Sequence, residues 1–391
     1  MVTLTNAENA LKTVYLGAVT ELLNTKANPL LGKIEQTSVD VWGKEVRTAA
    51  RVGINGGIGA GDEAGALPGA YGSNYIQFTS TLKNLYGQIE ISDKAIRASA
   101  DGRGAFTDLL NSELESLLSA SRFNLGRMLY GDGSGKLATI NAVTSGKYPV
   151  SDTRNLIEGM VVDVYGSDGA LLDSGLRISY VDRDAKKITF ATTPTTAITA
   201  SSSMYLQGSK DKEITGLGAI FDSSKSLYGL SRTSYPYLAP YTKAIDGAID
   251  EVTIQKAIDR LEYNANSQVD FIAVAADVKY AYQEYMKTYK RNIDMMELDG
   301  GYKTLAYNGI PLVYDRFIED GTMYLLDTSA FKLHQLCDWR YHENENGKIL
   351  RQTQGKPTYT ATLVKYCDLI FSRPNGQAKL TGIGKTTTTG A

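Results

Sequence analysis

The chain has 391 residues, of which 42% are hydrophobic and 21% are charged, a composition that supports sizeable cores and excludes a disordered chain. Lys and Arg total 41 and Asp and Glu total 43. The resulting net charge of −2 excludes nucleic-acid binding by bulk positive charge. Two cysteines, Cys337 and Cys367, cannot build a disulfide framework. No apolar run approaches the roughly 18 residues of a membrane helix, and the first residues do not resemble a signal peptide. We therefore expect no membrane partner.

The chain opens with a helix signal. Thr5 and Glu8 have the spacing of a capping box, and apolar residues then recur at helical spacing up to Asn28-Pro29, which ends the helix. Two interpretations stay open. The helix belongs to its own domain, or it is a terminal arm whose apolar face docks on a neighbouring molecule.

A glycine-rich segment follows. Between Val52 and Leu82 the only charged residues are Asp62 and Glu63, and eight glycines lie between positions 53 and 72. The flanking residues 39–52 and 75–91 are rich in β-branched and aromatic side chains, which predicts two strands joined by a glycine-rich tip. A hairpin of this kind is marginal in water by itself, so we expect it to lie on another surface.

Residues 105–130 carry the strongest helix pattern, with apolar residues from Phe106 to Leu129 at helical spacing. Asp108 near the start and Arg127 near the end suit the helix dipole. The glycine-rich residues 131–135 end the helix.

Residues 136–215 predict a compact inserted β domain. Short strand patterns at 160–165, 176–181, 187–191 and 204–206 are separated by turn signals. The segment lacks the aromatic and basic residues expected of an oligonucleotide-binding barrel.

From residue 250 onward the pattern is mixed. A helix is predicted around Ile254 and Leu261, and a second helix is predicted to be capped by Asp277. Asn308-Gly309 predicts a type I′ hairpin. Further strands are predicted at 271–276, 322–326, 331–336, 358–372 and 378–383.

Catalytic candidates are weak. His334 and Cys337, with His342 and Cys367, offer ligand types that zinc binds. A strand turns neighbouring side chains to opposite faces, which counts against this set. There is no Gly-x-Ser-x-Gly motif. We predict no catalytic residue, no cofactor and no bound metal, and keep a zinc-dependent enzyme as an alternative of another class.

The order of parts resembles the tailed-bacteriophage major capsid proteins of the Hong Kong 97-like fold. The resemblance is strongest in residues 308–334, which begin Asn308-Gly309-Ile310-Pro311, and in residues 368–383, which begin Asp368-Leu369-Ile370-Phe371. It covers most of the chain apart from residues 136–215.

This resemblance implies an α+β, Hong Kong 97-like fold with an inserted small β domain. The implied parts are an N-terminal arm (1–45), an E-loop hairpin (46–92), a P-domain with a spine helix (93–135), the inserted β-rich domain (136–215), a return to the P-domain (216–249), an A-domain (250–340), and the closing strands of the P-domain or A-domain with a C-terminal tail (341–391).

The function implied by the resemblance is a major capsid protein that self-assembles into the icosahedral shell around a phage genome. The expected partners are copies of the chain itself in hexamers and pentamers, a separate scaffolding protein, a portal, and double-stranded DNA enclosed without sequence-specific binding. The expected location is the virion capsid, and the host cytoplasm during assembly. An encapsulin-type nanocompartment and a carbohydrate-binding module on residues 136–215 remain alternatives.

Two sets of residues are predicted to contact neighbouring subunits. The E-loop tip contributes Gly53, Gly57, Gly61, Asp62, Glu63, Gly65 and Tyr71. The N-terminal arm contributes Leu11, Tyr15 and Leu22.

Overall fold

A computed structural model describes residues 28–53, 55–63, 65–94, 105–141, 146–289, 295–298, 302–343 and 348–384. The predicted arm contacts Leu11, Tyr15 and Leu22 lie outside these ranges. Among the described residues, no helix is long and apolar enough to span a membrane. Strands and helices are numbered below in chain order.

The body of the molecule is built on a five-stranded sheet that packs against one long helix. Its strands are β1 (Glu35–Thr37), β5 (Lys83–Ser92), β18 (Phe331–Tyr341), β19 (Arg351–Gln352) and β20 (Thr358–Phe371). The central strand β20 pairs antiparallel with β18 and, along ten residue pairs, with β5.

The long helix α1 (Ala105–Tyr130) has 26 residues, as its apolar spacing predicts. Leu125, Met128 and Leu129 on this helix are buried in the main core. Contact with β5 is close at Gly87, where a Cβ would lie 3.0 Å from the Leu117 side chain. A side chain at this position would therefore require the Leu117 side chain to shift.

A seven-stranded mixed sheet forms the second part of the same core. Its strands, in spatial order, are β12 (Tyr241–Gly247), β21 (Ala378–Ile383), β17 (Met323–Leu326), β13 (Phe271–Val274), β16 (Ile310–Tyr314), β15 (Tyr302–Tyr307) and β14 (Met295–Leu298). The α-helices of this region are α2 (Leu217–Phe221), α3 (Glu251–Ala265) and α4 (Ala276–Tyr289), and short 3₁₀ turns occur at Leu31–Lys33, Pro236–Leu238, Thr328–Ala330 and Pro374–Gly376.

Two local sequence predictions fall in this part of the chain, and the structure confirms one of them and contradicts the other. Asn308 and Gly309 both have positive φ, 48° and 79°, which confirms the predicted type I′ turn between β15 and β16. The prediction that Asp277 caps the second helix is wrong, because α4 begins at Ala276 and Asp277 lies inside its first turn. The Asp277 carboxylate instead accepts a hydrogen bond from the Gly321 amide at 2.7 Å.

The inserted segment is a closed barrel. Its strands are β6 (Lys136–Ile140), β7 (Tyr148–Pro149), β8 (Val161–Tyr165), β9 (Leu171–Asp182), β10 (Lys187–Phe190) and β11 (Ser202–Leu206), in the spatial order β6-β11-β8-β9-β10-β7. A bridge between Ile140 and Val150 joins the two ends of this order. The barrel has its own apolar core, separate from the main core, and its closure leaves no free sheet edge.

A two-stranded ribbon projects from the body. It consists of β3 (Glu45–Val52) and β4 (Asn74–Thr81), with the short β2 (Val41–Trp42) beside β3. The strand predicted at 75–91 is divided at Leu82, whose amide donates to the Lys44 carbonyl at 2.9 Å. Residues beyond Leu82 leave the ribbon because they pair with β20.

The sheets join segments that the resemblance assigned to different parts of the chain. Leu30, Leu31 and Ile34 are buried in the main core, so residues 28–34, expected in an arm, are part of the body. Strands β12 and β21 lie side by side in the seven-stranded sheet, so residues from the segments 216–249 and 341–391 contribute to the same sheet. Strand pairing across the chain, which local patterns do not report, decides these assignments.

Candidate inter-subunit surface

The root of the ribbon is fixed to the body by apolar contacts. Val46 and Phe78 are fully buried, and the Phe78 ring lies 5.4 Å from the ring of Tyr228. The Tyr228 hydroxyl donates to the Leu369 carbonyl at 2.9 Å and accepts from the Phe371 amide at 3.1 Å. Tyr228 thus connects the ribbon to the backbone of β20.

A buried carboxylate adds a polar anchor at the same root. Asp368 is fully buried and accepts hydrogen bonds from the Ser80 hydroxyl and from the Thr215 amide, the latter at 2.7 Å. Burial raises the pKa of Asp368 above its usual value, against the lowering effect of these hydrogen bonds. The ribbon therefore leaves the body at a rigid, hydrogen-bonded root.

The distal half of the ribbon contrasts with its root. None of the described residues from Gly53 to Gln77 is buried. Ile58, Leu67 and Tyr71 are 76%, 91% and 66% exposed. An apolar segment with so few charges is unusual as a free surface of a soluble protein.

Glycines let the two sides of the ribbon's loop approach each other. A Cβ at Gly57 would lie 3.3 Å from the Gly69 carbonyl oxygen, and one at Gly59 would lie 3.2 Å from the Pro68 ring. Side chains at these two positions would force the sides of the loop apart. Gly53 has a φ of 76°, a left-handed conformation that favours glycine.

The tip of the loop is acidic. The Gly65 amide donates to the Asp62 carbonyl at 3.0 Å, which closes a turn at residues 62–65. Asp62 and Glu63 are exposed there. All seven predicted tip residues lie on this loop, where six are exposed and Gly57 is half-buried. The sequence prediction missed Ile58 and Leu67, which stand out as large apolar residues between glycines.

A groove of about 540 Å³ lies beside the root of the ribbon. Its walls come from α1, from the first residues of β5, and from residues 206–213, which return from the barrel to the body. Leu82, Leu125 and Trp339 contribute buried apolar surface, and Lys83 and Lys212 are the cationic residues lining it. Sequence reasoning did not find this groove, because its walls are far apart in the chain.

An ion pair holds the barrel's return segment against α1. Arg127 and Glu213 are 3% and 2% exposed, and two guanidinium nitrogens lie 2.9 and 2.5 Å from the two carboxylate oxygens. The sequence prediction assigned Arg127 only to the helix dipole. In the structure it fixes one wall of the groove.

The predicted zinc ligands do not form a site. His334 is buried, with Nδ1 3.0 Å from the Val39 carbonyl oxygen, whereas the exposed His342 accepts from Arg351. Burial raises the pKa of Cys367 to about 12, so its thiol is a poor metal ligand and nucleophile. The described residues, which include all four candidates, contain no group of three His, Cys, Asp or Glu side chains that could hold a metal. The four candidate residues are therefore not brought together as a zinc site in the described part of the chain.

Comparison with known proteins gives similarity in structure only. No family model matches the chain, and no curated protein matches its sequence. The capsid asymmetric unit of cyanophage A-1(L) matches 91% of this chain and 93% of its own chain, at 12% identity and a TM-score of 0.53.

Two further solved structures are similar over most of their length. The capsid of an empty GTA particle matches 92% of this chain and 90% of its own, at 12% identity and a TM-score of 0.49. The SrpI encapsulin of Synechococcus elongatus matches 94% of this chain and 91% of its own, at 10% identity and a TM-score of 0.47.

The similarity to the cyanophage capsid, at a TM-score of 0.53 over 91% of this chain, shows the fold. In this chain the fold consists of a rooted ribbon, a long helix on one sheet, and a second mixed sheet on the same core. The chain therefore has the Hong Kong 97-like fold of phage capsid proteins.

Proposed function

We propose that this chain is a major capsid protein that self-assembles into an icosahedral shell around double-stranded DNA. The observation that carries the proposal is the ribbon, which is rigid at its root and exposes apolar side chains along its distal half. Covering Ile58, Leu67 and Tyr71 with a second copy removes apolar surface from water. The similarity in fold to a cyanophage capsid supports the same function.

A shell forms only if the contacts between copies of the chain close into rings. One ribbon contacting a different surface of the next copy is a heterologous contact, and such contacts form rings when the rotation closes. Hexameric and pentameric rings joined by many weak contacts make a stable shell through multivalency. A separate scaffolding protein and a portal would complete the assembly, which would take place in the host cytoplasm and leave the protein in the virion capsid.

The net charge of −2 suits a container more than a DNA-binding protein. Sequence-specific recognition would need base-reading side chains on a basic surface. A shell that is filled with DNA needs no such surface, and tight binding would hinder packaging.

The test is to purify the recombinant chain, measure its mass by size-exclusion chromatography with light scattering, and image it by negative-stain electron microscopy. We expect closed particles tens of nanometres across, or hexameric and pentameric rings. A chain that stays monomeric at high concentration, both alone and when produced together with the proposed scaffolding protein, would contradict the proposal. Particles that enclose one specific cargo protein instead of DNA would favour the nanocompartment alternative.

A further inference from the structure

We infer that Asn55-Gly56, in the exposed loop of the ribbon, is a site of spontaneous deamidation that converts Asn55 into a mixture of aspartate and isoaspartate. The inference concerns the chemistry of the single chain and is independent of the proposed function. The sequence contains four Asn-Gly pairs, which begin at residues 55, 308, 346 and 375. Asn346-Gly347 lies outside the described residues, and the structure distinguishes the other three pairs.

Deamidation at this pair needs no enzyme. The backbone nitrogen of Gly56 loses its proton to a base in the solvent and attacks Cγ of Asn55, and the new C–N bond closes a five-membered succinimide. The bond between Cγ and Nδ2 then breaks, and Nδ2 takes up a proton and leaves as ammonia. Water opens the succinimide at either carbonyl, which gives aspartate or isoaspartate. Glycine favours the attack because it has no Cβ to obstruct the approach of its nitrogen.

The loop holds Asn55 in an arrangement that assists the attack. The Gly57 amide donates to Oδ1 of Asn55 at 2.8 Å. Negative charge develops on this oxygen as the Gly56 nitrogen attacks, and a donor already in place stabilises that charge. The Gly56 amide donates to no acceptor among the described residues, so its proton is open to solvent. Asn55 and Gly56 are both exposed, so ring closure displaces no buried side chain.

The other two described pairs are held in place by the fold. Asn308 lies in the type I′ turn, with a φ of 48°, and its Nδ2 donates to Oε1 of Gln255 at 3.4 Å. Closing a succinimide there would take Asn308 out of its left-handed conformation and break the turn. In the last pair, Gly376 is buried and its amide donates to the Arg373 carbonyl at 3.2 Å. A Cβ at Gly376 would lie 2.8 Å from Oγ of Ser267, so the fold leaves this backbone little room to rearrange.

Deamidation changes the charge of the loop. Asp62 and Glu63 are the only charged residues between Val52 and Leu82, so conversion of Asn55 raises the number of carboxylates there from two to three. Isoaspartate also inserts a methylene group into the backbone. A newly made chain and an aged chain therefore present chemically different ribbons.

Peptide mapping by mass spectrometry tests the inference on the purified chain. During incubation at mildly alkaline pH, Asn55 should gain about one dalton, at a rate at least about tenfold higher than that of Asn308 or Asn375. Both isoaspartate and aspartate should appear, because direct hydrolysis of the side chain gives aspartate alone. In urea the three rates should converge, since the fold no longer protects Asn308 and Asn375. An Asn55 rate in the folded chain no higher than the other two, or aspartate as the sole product, would overturn the inference.

A matched pair of variants tests the hydrogen bond to Asn55. Gly57→Pro removes the N–H group that reaches Oδ1, whereas Gly57→Ala keeps it, and both variants add a Cβ at the same position. Deamidation should be about tenfold slower in Gly57→Pro than in Gly57→Ala. Equal rates would overturn the assisting role of the Gly57 amide. Asn55→Gln is the control, and it should give no product at this position because its side chain would have to close a six-membered ring.

Discussion

Arg127 and Glu213 form an ion pair at the junction between the body and the inserted barrel, and this pair should affect the stability of the fold. Both are almost fully buried, and they join α1 to the segment that returns from the barrel. Two charges removed from water compensate each other only while both are present. Losing one partner leaves an unpaired charge in the interior.

We predict that Arg127→Met lowers the free energy of unfolding by about 3–5 kcal/mol, measured by urea denaturation. Arg127→Met combined with Glu213→Leu should recover a large part of this loss, because no charge is left buried. As a control, Arg47→Ala removes an exposed ion pair with Glu45 and should change stability by less than about 1 kcal/mol. A loss below 1 kcal/mol for Arg127→Met would show that Glu213 is solvated or protonated.

Asp368 leads to a prediction about pH. Burial raises the pKa of Asp368 in the folded state above its value in the unfolded chain. The protonated carboxyl therefore stabilises the folded state below about pH 4, and this stabilisation is lost as pH rises through the folded-state pKa. Asp368→Asn keeps the shape without the charge, and its amide can donate to the Ser80 hydroxyl. The unfolding free energy of the variant minus that of the wild type should therefore increase with pH above about 4. Thermal denaturation of both proteins across pH 4–8 checks this, with Asp184→Asn as a control; a difference independent of pH would contradict it.

At the scale of elements, the two halves of the ribbon differ in how they relate to the folded body. Its root belongs to the folded body, through Phe78 and Tyr228, while none of the described residues of its distal loop is buried. Folding and assembly should therefore depend on different halves of the same hairpin.

We predict that deletion of residues 53–72, with a short turn in their place, leaves a soluble chain with an unchanged unfolding midpoint but abolishes closed particles. None of the deleted residues that the structure describes is buried, so the deletion should remove little apolar surface from the interior of the monomer. Circular dichroism and electron microscopy measure the two properties. Phe78→Ala is the matched contrast, because it should cost about 3–5 kcal/mol of stability by opening a cavity. Normal particles from the loop deletion would contradict the role given to the ribbon.

At the scale of the whole molecule, the described residues form two separate apolar cores. One spans the five-stranded and seven-stranded sheets, and the other fills the barrel. Lys136 and Tyr205 are paired neighbours where the chain enters and leaves the barrel. The body is therefore continuous without the barrel strands.

We predict that replacing residues 137–204 with two glycines leaves the body folded, with one cooperative unfolding transition in calorimetry. Glu213 and Arg127 are retained, so the junction should keep its ion pair. Replacing Glu213 with Ala in the shortened chain should lower its midpoint, which checks that the junction is intact. An aggregated or non-cooperative product would show that the barrel is required for the body to fold.

Local patterns in the sequence predicted the elements that depend on near neighbours. The spacing of apolar residues from Phe106 to Leu129 predicted α1, and Asn308-Gly309 predicted the turn between β15 and β16. Both predictions were possible because helical periodicity and positive φ are properties of a few consecutive residues. The Gly-rich, nearly uncharged composition predicted the ribbon. The order of these parts was sufficient to identify the fold.

Contacts between distant residues were decided only in the tertiary structure. The division at Leu82, the pairing of β6 with β11 in the barrel, and the burial of Arg127 with Glu213 all join segments that lie apart in the chain. The groove beside the ribbon's root has walls from three such segments. The physical reason is that a strand or helix pattern specifies which face of a segment is apolar, whereas the partner of that face depends on how the whole chain packs.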